Sequence, residues 1–88
     1  MVRFLNFFYL LFFWILYILK EVQPHADFQN CTDFIEEGLL DSLDVIKLTS
    51  MLDRNFSISI EGEDIVPENY SSIEAIKKLV QKYEGESL

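Results

Sequence analysis

A single cysteine, Cys31, and a single histidine, His25, are all the thiol and imidazole that 88 residues contain. A lone thiol closes no intrachain disulfide and fits a reducing compartment. One Cys and one His build neither a zinc site nor a Cys/His nucleophile pair, and His25, beside Pro24, reads as an exposed loop residue. The three glycines are too few and too scattered for a Walker or dinucleotide loop. Basic charge is scarce: after Lys20 there are Lys47, Arg54, Lys77, Lys78 and Lys82, against all 15 acidic residues from Glu21 onward. The formal net charge is −8, and the acidic surface from Glu21 onward repels nucleic acid and anionic lipid headgroups and attracts basic protein surfaces, while the same charge keeps the chain soluble. Adjacent carboxylates such as Glu36-Glu37 and Glu63-Asp64 imply no cleft for acid–base work. The run from Asp53 to Ser57 lacks the sixth-position glycine of a calcium loop, where Ile58 stands. The length allows one small domain with a modest core.

What the chain has in excess is apolar surface at its start. Phe4 to Leu19 is apolar apart from Asn6, is flanked by Arg3 and Lys20, and holds five of the eight Phe residues and the only Trp. That run falls short of the roughly 20 residues that span a bilayer, although thinning or snorkelling accommodates it. A cleaved signal peptide lacks its small-x-small site, for which Pro24-His25-Ala26 is a poor substitute. The back half reads as structural: Ile15, Ile18, Leu19 and Val22 share one helical face, and Pro24 ends the helix. We expect one long helix whose second half joins the domain. Residues 1–14 are then a hydrophobic extension, 15–84 the domain and 85–88 a tail. The extension is open to three readings: a membrane anchor through residues 3–20, a self-association surface, or the product of an upstream start codon.

The clearest helix follows Gly38-Leu39-Leu40-Asp41-Ser42-Leu43-Asp44. Leu43, Ile46, Met51, Leu52 and Phe56 recur at the spacing of one apolar face, and Ser42 stands where a helix takes its N-cap. A helix start offers unpaired amides and the positive end of the dipole, which suit an anion such as phosphate. The serine is therefore either a plain cap or a hydroxyl placed to carry an anion. The outer face carries Asp44, Lys47, Asp53 and Arg54. Residues 25–41 read as a loop whose Phe28, Phe34, Leu39 and Leu40 fold back onto the domain, with a helical turn near Asp33 to Glu37 and Gly38 supplying a positive φ.

Beyond Phe56, Ser57-Ile58-Ser59-Ile60 alternates like a strand but has nothing to pair with, so an extended linker is expected. Glu61 to Val66 predicts a short helix stopped by Pro67, and Asn69 to Ser72 a turn. Ser71 and Glu74 have capping-box spacing. Ile73, Ile76, Leu79, Val80 and Tyr83 stripe the last helix, Gly85 is placed as its C-cap, and the end from Glu84 frays.

The motif before Ser42, Leu43-Asp44 after it, Phe56 closing the helix and a capped last helix at the matching distance together resemble the acyl carrier protein family, over about Ile15 to Tyr83. The resemblance implies an all-α fold: a small bundle of three main helices plus a short one, here with the extra hydrophobic N-terminal extension. It implies that Ser42, flanked by Asp41 and Leu43, receives 4′-phosphopantetheine from coenzyme A through a magnesium-dependent phosphopantetheinyl transferase. The arm would carry an acyl or aminoacyl group as a thioester to loading and accepting enzymes, with no catalysis and no metal site of the chain's own. Asp41, Asp44, Lys47 and Asp53 would be partner contacts on a helix that Lys47 and Arg54 make less acidic than is usual in the family. Ile65 and Val66 would lie near Ser42, and Leu43, Ile46, Ile65 and Ile73 would shelter a hydrophobic cargo. A cytoplasmic role in fatty acid, polyketide or peptide synthesis follows. A D-alanyl carrier for cell-wall polymers is the alternative that suits a membrane-proximal first segment. An unmodified, membrane-anchored protein-interaction domain is the alternative of a different class.

Overall fold

The computed structural model describes residues 2–87, with side chains over residues 10–85. Among them it contains three α-helices, α1 (Val2–Val22), α2 (Ser42–Phe56) and α3 (Ile73–Ser87), and no strand. Pro24 follows α1 closely, and the Gln23 amide closes its last turn on the Leu19 carbonyl at 2.9 Å. Ile15, Ile18 and Leu19 are at most 1% exposed and pack with Leu48 and Leu52 of α2 and Ile76 and Val80 of α3. The second half of α1 is thus part of the core, as its apolar stripe predicts.

α1 and α2 run antiparallel. Gln23, just past α1, donates to the Asp44 carboxylate at the start of α2 (3.0 Å), while Trp14 meets Phe56 at the far end, ring centroids 6.5 Å apart. Burial chooses a different inner face of α2 from the one its spacing suggests. Val45, Leu48, Thr49 and Leu52 face the core, whereas Leu43 and Ile46 are 71% and 60% exposed and Met51 and Phe56 half-buried. Apolar residues cover more than half of this helix's circumference, and the tight 45/48/49/52 stripe sets the rotation against α1.

The loop between α1 and α2 is pinned. Phe28, in a 3-10 turn (Phe28–Asn30), meets Phe34 edge-on at 5.0 Å, and both are buried. The Phe34 amide donates to Ser71 O (2.8 Å), and the Phe34 carbonyl accepts from Leu39 and Leu40. After α2 the left-handed Ser57 (φ 54°) reverses the chain, and Ile58 and Ile60 drop into the core as an extended linker. Two 3-10 turns, Gly62–Asp64 and Pro67–Tyr70, replace the expected short helix from Glu61 to Val66. Pro67 opens the second turn rather than stopping a helix, because its fixed φ suits a first helical position. Tyr70 is fully buried beside Thr49; the Thr49 proton goes to the Val45 carbonyl, so the tyrosine donates to Thr49.

α3 buries its whole predicted stripe, Ile73 to Tyr83. Its cap is one residue later than the spacing suggests: Ser72 Oγ accepts from the Ala75 amide, while Ser71 Oγ donates to the Glu68 carbonyl. Gly85 keeps helical backbone and α3 continues to Ser87, so the expected C-cap at Gly85 is not present. Leu88 lies outside the described residues. Asp64 ties the 3-10 segment to α3 by accepting from Tyr83 and from Lys82.

Candidate functional site

Ser42 is the first residue of α2 and is exposed. The chain reaches it through a built corner. Asp33 folds its carboxylate over the Ile35 and Glu36 amides, Gly38 takes φ +80°, and Leu40, 1% exposed, anchors the backbone two residues before the serine. Gly38 meets no neighbouring side chain, so its positive φ is the reason for a glycine there.

The N-cap is Asp41, not Ser42. The Asp41 carboxylate accepts from the Asp44 amide at 2.8 Å, and the Asp44 carboxylate accepts from the Asp41 amide at 3.1 Å, a reciprocal box. The correction has a physical cause: a carboxylate caps as well as a hydroxyl and also answers the positive helix end. Ser42 is thereby left out of the cap, at an exposed position. The leading amides of α2, from Ser42 and Leu43, have no acceptor four residues back.

The predicted docking residues fall apart in space. Asp41 and Lys47 are exposed, but Asp44 is 7% exposed and held by Gln23 and Asp41, so its carboxylate is not an outward contact. Asp53 is half-buried and accepts from the Ile60 amide (3.0 Å) about 16 Å further along the helix. What flanks Ser42 outward is apolar, Leu43 and Ile46. Gln23, just past α1, is the supporting residue that the sequence concealed; nothing in it marks the reach to Asp44, whereas the Asp-x-x-Asp spacing of the cap was readable.

A groove of about 550 Å³ opens beside Ser42, lined chiefly by Ile35, Leu40, Val45, Ile46, Ile65 and Pro67. Ile65 and Val66 do lie by the serine. Ile73, expected to share the shelter, is instead core, 8% exposed. Its volume is in the range of small-molecule sites.

Burial acts to raise the Asp44 carboxyl, but the Asp41 amide, Gln23 and Lys47 outweigh it and hold the group below the usual carboxylate range. The Asp33 and Thr32 amides do the same for Glu37, and Lys82 and Tyr83 for Asp64. A carboxyl whose pKa is lower folded than unfolded stabilises the fold above its ordinary value, and that stability is lost as pH falls through the folded value. Urea unfolding followed from about pH 7 down to about pH 3 should therefore show falling stability. Asp44→Asn, weaker at neutral pH, should lose less on the way down; an unchanged slope would remove Asp44 from the explanation.

The surroundings of Ser42 suit a phosphodiester-linked arm: an exposed hydroxyl, two helix-leading amides and an open apolar groove. Among the described residues no cluster of His, Cys, Asp and Glu has the makings of a metal site. No curated protein and no solved structure matches the chain. A family model described as the phosphopantetheine attachment site matches residues 15–80, three quarters of the sequence, and such a domain bears 4′-phosphopantetheine covalently. The chain thus belongs to the phosphopantetheine attachment site family, as a small all-α carrier domain of the acyl carrier protein kind.

Proposed function

We propose that Ser42 is the attachment residue and that the chain shuttles an acyl cargo between enzymes rather than catalysing a reaction itself. The observation that carries this is the exposed Ser42 hydroxyl on the lip of an apolar groove, with the cap supplied by its neighbour Asp41. In the transferase, the Ser42 oxygen bonds to the pantetheine-side phosphorus of coenzyme A and gives up its proton, while the diphosphate P–O bond breaks and adenosine 3′,5′-bisphosphate leaves. The Ser42 and Leu43 amides face the resulting negative charge, while the Asp41 carboxylate keeps it out towards water. Once bound, the group supplies a thiol on a flexible arm, able to hold a thioester. The tether raises the cargo's effective concentration at each docked enzyme.

Val45, Ile46 and Ile65 in the groove favour a hydrophobic acyl chain, as in fatty acid or polyketide synthesis, over a D-alanyl group. Leu43 and Ile46 give partner enzymes an apolar contact, with Asp41 and Lys47 setting a mixed-charge rim; Asp53 is too remote and too engaged to share it. Activity of this kind places the chain where coenzyme A is, in the cytoplasm. Incubation with coenzyme A, magnesium and a phosphopantetheinyl transferase should add the phosphopantetheinyl mass to the peptide containing Ser42. No gain with a transferase that loads another carrier would refute the assignment.

A further inference from the structure

Between Leu10 and Tyr17 the exposed side chains of α1 form one stripe. Leu10, Phe13, Trp14 and Tyr17 are 64, 58, 47 and 64% exposed, at the spacing of a single helix face. The opposite face, Leu11, Ile15, Ile18 and Leu19, is core. The stripe belongs to the Phe56 end of the bundle, since Trp14 meets Phe56 while Gln23 meets Asp44 beside Ser42. We propose that this stripe rests the Phe56 end of the bundle on a lipid surface and leaves Ser42, at the other end, in water.

Two observations select lipid as the occupant. The first is composition: eight of the 13 aromatic residues fall between Phe4 and Tyr17. Trp and Tyr, an apolar body with a polar tip, are the side chains that settle at headgroup level. The second is charge. No acidic residue precedes Glu21, so Arg3 and Lys20 make the first 20 residues positive in an otherwise acidic chain, which matches anionic headgroups. Crossing the bilayer is ruled out for this segment because Leu11 to Leu19 contribute core residues to the bundle. Among the described residues no helix is long and apolar enough to cross a membrane.

Trp14 is the only tryptophan and reports directly. The full chain is mixed with phosphatidylcholine vesicles containing phosphatidylglycerol, then floated. The chain should rise with the vesicles and its emission should move to the blue. The double variant Phe13→Asp, Tyr17→Asp, altered only at exposed positions, should keep its melting transition while its vesicle partition falls by roughly tenfold or more. Orientation is read separately, with a fluorescent label on Ser42→Cys in a Cys31→Ser background. On vesicles Trp14 should become shielded from iodide while the label stays quenchable. A chain that stays in the aqueous layer, or a folded double variant that floats like the parent, overturns the proposal. So does a dimer in buffer that the double variant dissolves while vesicles capture nothing. A label shielded together with Trp14 overturns the orientation.

Discussion

Ser42→Ala is expected to abolish phosphopantetheine loading completely while leaving the fold in place. The two effects separate because Asp41 makes the cap and the Ser42 hydroxyl is exposed. Alanine at an exposed first helical position changes stability by no more than about 0.5 kcal/mol, a shift in melting temperature of only a few degrees for a domain this size. Asp41→Ala should behave in the opposite sense. Losing the carboxylate that receives the Asp44 amide costs about 1 kcal/mol, which corresponds to roughly 4–8 °C, while the acceptor hydroxyl remains. Intact mass after transferase treatment, paired with thermal melts of both variants, reads the two axes independently. A mass gain that persists in Ser42→Ala would move the attachment elsewhere.

Phe34→Ala should be among the most damaging single changes in the chain. The ring is 1% exposed, packs edge-on against Phe28 and holds down a loop with little regular structure of its own. Removing a buried Phe side chain costs about 3–5 kcal/mol, a large part of the roughly 5–15 kcal/mol that a small domain has in total. Urea midpoints should fall accordingly. The backbone bonds of residue 34, to Ser71, Leu39 and Leu40, are untouched by the substitution, so the loss reports the ring. Ile35→Ala, next door but only half-buried in the groove wall, should cost far less. Equal midpoints for Phe34→Ala and the parent would mean that the loop is held by its backbone alone.

Helix identity was legible because periodicity survives in the sequence wherever one face is buried. The α3 stripe and the α1 positions Ile15, Ile18 and Leu19 came through unchanged. Rotation was not legible in α2, where Leu43 and Ile46 extend the apolar set beyond what the core takes up; only packing against α1 decides which residues turn inward. The cap residues shifted by one position at both α2 and α3. Asp41 and Ser42, or Ser71 and Ser72, are all able to cap, and the choice is made by where the preceding loop delivers the backbone. For the region around Ser42, the exposed hydroxyl's neighbours Ile65 and Val66 were anticipated, while Gln23 was not. Its bond to Asp44 joins residues 21 positions apart, beyond the reach of any local pattern.

The antiparallel pairing of α1 with α2 is fastened near both extremities, by Gln23 on Asp44 and by Trp14 on Phe56. A slide of one helix past the other by a single turn, about 5.4 Å, would undo both fasteners together. The two rods therefore move as one beam. The facing wall of the groove beside Ser42, Ile65 to Pro67, is fastened on either side, by Asp64 to Lys82 and Tyr83 of α3 and by Tyr70 to Thr49 of the beam itself, so a pull on the serine is borne by the whole domain.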